Sequence, residues 1–145
     1  LGLVGAGNFA KSVILPTLKS LSGVSMVGLC SATGVTGHSV GKKYGFNFIT
    51  NDFNELLVDE INSIVITTRH NLHSSQIIEG LRAGKNVFVE KPLCLTEAEL
   101  NDLLHVLNNV LHLKILYRTL QVFLIEQLPL FSSQQIENYL ILIHP

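Results

Sequence analysis

The chain has 145 residues, 47% hydrophobic and only 14% charged, with a formal net charge of −1. That balance excludes a disordered chain and leaves no electrostatic footprint for nucleic acid or an anionic membrane surface. Cys30 and Cys94 lie far apart in apolar surroundings without C-x-x-C spacing, so a disulfide or zinc framework is not expected and a reduced, cytoplasmic setting is.

Leu1 to Val4 reads as a first strand with no signal peptide visible, and a start at Leu1 rather than Met, already inside that strand, leads to the expectation that the chain is part of a longer protein. Gly5-Ala6-Gly7-Asn8-Phe9-Ala10 follows and gives way to a helical pattern. Strand, glycine turn and helix start together present backbone N–H groups to a pyrophosphate, although the same pattern also arises in plain turns. Gly5 supplies the turn, Gly7 the close backbone approach and Ala10 the helix–strand packing, which makes Gly5, Gly7, Asn8 and Phe9 candidate ligand contacts. Asn8 is expected to cap the helix, Pro16 to split it near Leu15, and Gly23 to end it.

Val24 to Cys30 reads as a second, two-sided buried strand, followed by a Ser31–Gly37 loop and a short helix from His38 to Tyr44 closed by Gly45. Phe46 to Ile49 makes a third strand, and Asp52 to Val58 a helix capped by Asp52. Ile61 to Thr67 forms a fourth strand and His73 to Ala83 an amphipathic helix that stops at Gly84. Val87 to Val89 forms a fifth, after which Thr96-x-x-Glu99 opens a helix with a capping box. Strands alternating with helices across short loops predict an α/β fold: a doubly wound parallel sheet with helices on both faces.

Beyond Asn108 the pattern weakens. Leu111 to Ile125 is apolar but interrupted by Lys114, Arg118 and Gln121, short of the roughly 18 apolar residues of a membrane span. Leu113 to Tyr117 is a candidate sixth strand, which divides the chain into a ligand-binding domain, 1–112, and a tail, 113–145.

In an open α/β sheet, ligands bind beyond the carboxyl ends of the strands where the winding reverses. With strand order 3-2-1-4-5, the glycine turn, Thr67-Thr68-Arg69-His70-Asn71-Leu72-His73 and Glu90-Lys91-Pro92 converge on one rim. His70 and His73 have metal-ligand spacing but no third ligand, so no metal is expected.

The run Ala83-Gly84-Lys85-Asn86-Val87-Phe88-Val89-Glu90-Lys91-Pro92 resembles the A-G-K-x-V-x-x-E-K-P signature of the Gfo/Idh/MocA oxidoreductases. Gly2 to Asn8 and His73 agree with it, and the resemblance covers about Leu1 to Leu107. It implies a Rossmann-like cofactor domain followed by a substrate domain that this chain lacks. The implied activity is hydride exchange between NAD or NADP and a sugar, polyol or related carbonyl compound. Lys91 then stands beside the nicotinamide and polarises the substrate oxygen, as an ammonium stabilises charge growing on a carbonyl. Glu90 orients the cofactor ribose or Lys91, and Pro92 fixes the turn through a cis Lys91–Pro92 bond. Thr67, Thr68 and His70, brought to the rim by the strand order, are further candidate cofactor contacts; His73 matches a histidine of the family that packs the loop and shapes the cofactor pocket, whereas His70 stands where relatives often carry asparagine and Arg69 where they carry proline. Thr-Arg-His-Asn-Leu-His is similar to a subgroup fused behind a zinc-type alcohol dehydrogenase module.

At the end of strand two, where NAD-binding domains place an acid for the ribose hydroxyls, stands Ser31, leaving the choice between NAD and NADP open. A dinucleotide-binding module without turnover is the alternative to an enzyme, and a different nucleotide such as S-adenosylmethionine a third reading. An exposed sheet surface and an apolar tail suggest self-association.

Overall fold

Five short parallel strands carry the fold: β1 (Gly2–Val4), β2 (Gly28–Cys30), β3 (Phe48–Thr50), β4 (Ser63–Ile66) and β5 (Asn86–Val89). The computed structural model of the chain describes residues 1–110, so the expected strand at Leu113 to Tyr117 and the tail lie outside the described residues. The sheet order is β3-β2-β1-β4-β5, the order expected from right-handed crossovers. Val4 stands level with Cys30 and Ile66, Cys30 with Thr50, and Ile66 with Val89, so all five strands end in register.

Side chains on both faces of β1, β2 and β4 are largely buried, as the two-sided strand patterns require, whereas β5 buries Val87 and Val89 and leaves Asn86 and Phe88 exposed. Leu3, Leu29 and Val65 pack beneath a π-helical turn (Ala10–Ile14), α1 (Leu15–Ser20) and α2 (Gly34–Tyr44). Val4, Ile64, Ile66, Val87 and Val89 pack on the opposite face with residues of α3 (His73–Arg82) and α4 (Glu97–Val110). Each fully buried Leu or Ile here contributes about 1.5–3 kcal/mol of transfer free energy. The Rossmann-like fold with helices on both faces is thus built from the alternation visible in the sequence.

Several local expectations need correction. Pro16 does divide the first helix, since it lacks an N–H to continue the ladder, and α1 restarts at Leu15 with the proline in its first turn. Asn8 is not the cap: its carbonyl accepts the Ser12 hydroxyl at 2.8 Å, and the π turn carries no side-chain cap. Gly23 is left-handed, with φ of 82°, but lies beyond the helix end at Ser20. Strand two pairs only over Gly28–Cys30, since β1 offers it three residues. α2 begins at Gly34, earlier than His38, and Gly45 closes it with φ of 78°. Asp52 caps a 3₁₀ turn, Phe53–Leu56, and its side chain accepts from the Asn54 amide at 2.9 Å.

The ends of the later elements match the sequence reading. Gly84 is left-handed after α3. Glu99 accepts from the amides of Leu95 and Thr96 while its own amide donates to the Thr96 hydroxyl at 3.2 Å, closing the capping box. Among the described residues no helix is long and apolar enough to cross a membrane.

Candidate cofactor site

The ladder continues one residue past each strand end. Gly5, Ser31, Thr67 and Glu90 donate amide hydrogens to the carbonyls of Cys30, Thr50, Val4 and Ile66 at 2.8–3.1 Å. These residues form a row along the carboxyl rim. With neighbouring strands about 4.8 Å apart, Gly5 and Glu90 stand two strands, roughly 10 Å, from one another. The row spans the point where the winding reverses.

The two turn glycines answer different demands. Gly5 has φ of 96°, and a Cβ there would lie 2.6 Å from the Thr67 carbonyl oxygen. The Thr67 hydroxyl reaches the carbonyls of Val4 and Gly5 at 3.1 and 3.0 Å, clamping the turn. Gly5 is therefore required by the fold itself. A Cβ on Gly7 would meet nothing within 4 Å, and Gly7 has no left-handed φ. Nothing in the described residues demands glycine there.

Above the row opens a cleft of about 720 Å³. Of the sequence-expected residues it gathers Gly5, Gly7, Ser31, Thr67 and Thr68. Asn8, Phe9, His70, His73, Glu90, Lys91 and Pro92 are not in its lining. The sequence reading missed Lys11, Thr33, Thr36, Asn51, Arg69 and Gln76, which line it too. Asn51 had a usable signal, because it follows β3 as Ser31 follows β2; Lys11 had none beyond its place in the first helical turn.

His73 and the Glu90-Lys91-Pro92 segment form a second, adjoining part of the rim. His73 is fully buried; Nδ1 lies 2.7 Å from the Pro92 carbonyl oxygen and Nε2 3.1 Å from that of Thr68. The imidazole sits between the loops after β4 and β5, and in its neutral form it donates to one of these two carbonyls. The Lys91–Pro92 bond is cis, as the resemblance implied. Lys91 is exposed and Glu90 half-buried, and among the described residues they make no ion pair with each other. His70 meets His73 edge-on with ring centroids 5.5 Å apart, and no metal-holding cluster of His, Cys, Asp or Glu occurs among the described residues. Thr68 donates to the Gln76 side-chain oxygen at 2.6 Å, fixing the cleft wall to α3.

Cys30, beside the cleft, is free and buried; burial, then the nearby Asp52 and Glu55 carboxylates, push its thiol above the usual range.

The sequence matches the Gfo/Idh/MocA oxidoreductase family, with its NAD-binding Rossmann fold, over residues 1–111. It is 29% identical over 100 residues to inositol 2-dehydrogenase of Salmonella typhimurium, covering 68% of this chain and 30% of that one. The fold resembles apo scyllo-inositol dehydrogenase from Lactobacillus casei, with a TM-score of 0.72 and 24% identity, over 78% of this chain and 34% of that one. It also resembles a 3-ketoreductase from Actinomadura kijaniata solved with NADP and TDP-benzene, with a TM-score of 0.68 and 23% identity, over 75% of this chain and 34% of that one. The chain spans 28% to 31% of the length of the first curated relatives it matches. Glycine turn, strand order and family match agree, and the chain belongs to the Gfo/Idh/MocA oxidoreductase family.

Proposed function

We propose that residues 1–112 are the cofactor-binding part of a nicotinamide-dependent oxidoreductase acting on a sugar, polyol or related carbonyl compound. The observation that carries this reading is Gly7, a glycine with neither a strained φ nor a neighbour to avoid, at the mouth of a 720 Å³ cleft. The cofactor supplies the hydride-transfer chemistry. In this reading the Gly5–Gly7 turn receives the pyrophosphate and Thr67 keeps that turn in shape. Ser31 lies toward the adenosine ribose, and Thr68 belongs to the opposite wall. Lys91, exposed at the end of β5, offers its ammonium to the substrate oxygen, while Glu90 stays close enough along the chain to orient the cofactor ribose. The polyol chemistry of the inositol 2-dehydrogenase relative supports the substrate class. A cytoplasmic location and self-association belong to the same reading.

The test is calorimetric titration with NAD⁺, NADH, NADP⁺ and NADPH, on the chain and on Gly7→Val. A valine at position 7 has room in the fold, so the variant keeps its thermal stability while losing dinucleotide binding. Equal binding by both proteins, or no binding by a folded wild-type chain, rejects the reading.

A further inference from the structure

We propose that residues 111–145 cover an apolar groove between the first helix and the β4–β5 face of the sheet, using their run Leu111 to Ile125. The groove follows from the alternation along β5. Val87 and Val89 turn to the face packed by α3 and α4, so Asn86 and Phe88 turn to the other. On that other face Leu3, Leu29 and Val65 lie under the π turn, α1 and α2, while Phe88 stays 43% exposed. A space of about 680 Å³ opens there, between Val13, Ile14 and Leu18 on one side and Val65 and Phe88 on the other. Val13, at its rim, is 46% exposed. Among the described residues no charged side chain lines the groove, and it shares no lining residue with the cofactor cleft. Taking such a wall out of water is favourable, and an apolar segment does so.

The point where the chain leaves α4, and the length that follows, select the occupant. α4 starts beyond the carboxyl end of β5 and returns along the sheet, packing Val106 and Leu107 in one cluster with Ile61, just ahead of β4. The chain therefore leaves α4 at the amino edge of the sheet. Ser63 and Asn86, the first residues of β4 and β5, line the groove at that same edge. Among the described residues β5 is an outer strand, paired only with β4. Passing round it crosses one helix and one sheet layer, roughly 20 Å, which takes about six extended residues. The stretch from Tyr117 to Ile125 is then left for the groove, with Leu120, Val122, Phe123 and Leu124 in it and Arg118 as its one charge. A segment tethered this close meets the groove at a far higher effective concentration than a second copy does. Self-association then uses another surface.

The test uses the full chain with Phe88 replaced by the photoreactive p-benzoylphenylalanine, irradiated, and the joined peptides read by mass spectrometry. A monomeric product joined to a peptide from 111–145 is expected. A product of twice the mass, which seats a second copy in the groove, overturns the inference, as do cross-links confined to residues 1–110 or none at all. Thiol labelling of Phe88→Cys gives a second readout, since Cys30 and Cys94 are buried. Labelling is expected to quicken about tenfold once Leu120→Asp and Phe123→Asp are added, because charges there release the cover. Equal labelling rates with and without those two changes overturn the inference as well.

Discussion

Gly5 and Thr67 fit one another across the boundary between β1 and β4: the Thr67 hydroxyl donates to the Gly5 carbonyl at 3.0 Å, and the space a Gly5 side chain would fill belongs to the Thr67 carbonyl. Gly5→Ala is therefore expected to destabilise the domain by about 2–4 kcal/mol, combining left-handed strain with the backbone clash. Thr67→Val, which keeps the shape and removes the donor, costs about 1–2 kcal/mol. Urea unfolding of both variants checks the order; a Gly5→Ala midpoint within error of wild type contradicts the clamp.

His73 is expected to behave as a tether. His73→Leu removes the ring packed between the two loops and leaves whichever of the Pro92 and Thr68 carbonyls accepts its N–H without that donor, at a cost of about 1–3 kcal/mol, and loosens the segment around Lys91. Hydrogen exchange is expected to rise in both loops together, and His73→Gln to restore part of the protection. Exchange confined to one loop speaks against a single tether.

Lys85 is buried, and its ammonium donates to the Val58 carbonyl at 2.7 Å, an oxygen that also receives the Ile61 amide. Removing the charge leaves that carbonyl still bonded, so Lys85→Met should change stability by less than about 1 kcal/mol, since an apolar replacement of similar shape is close to neutral. Lys85→Ala also empties the space of the stem and should be the more damaging by roughly 1–2 kcal/mol. Thermal melts of the pair distinguish packing from hydrogen bonding.

Burial, with a smaller contribution from Glu99, pushes the Cys94 thiol from 9.0 up to about 11. Below pH 9 the thiol is protonated in both folded and unfolded chains and contributes no pH dependence. Between pH 9 and 11 the unfolded chain releases the proton first, so it binds fewer protons and stability falls as pH rises. Cys94→Ala is expected to flatten that part of the stability profile relative to wild type, measured by urea unfolding at successive pH values. Alkylation of Cys94 at neutral pH should be slow in the folded chain and fast after unfolding.

By itself the sequence determined the order of elements, the strand arrangement and the glycine turn. Its β-branched runs, left-handed glycines at Gly45 and Gly84 and capping box at Thr96 are local signals, readable from a few neighbouring residues. Helix limits were less legible: α2 starts at Gly34, four residues before His38, and the run after Asp52 closes as a 3₁₀ turn, Phe53–Leu56, rather than a helix to Val58. Only the tertiary structure decided why no side chain fits at Gly5, because that depends on Thr67, sixty-two residues away. The same holds for Lys11, Asn51 and Arg69 at the cleft and for His73 between two loops. Parallel crossovers bring distant strand ends together, and which side chains then share a cavity is fixed by that adjacency rather than by spacing along the chain.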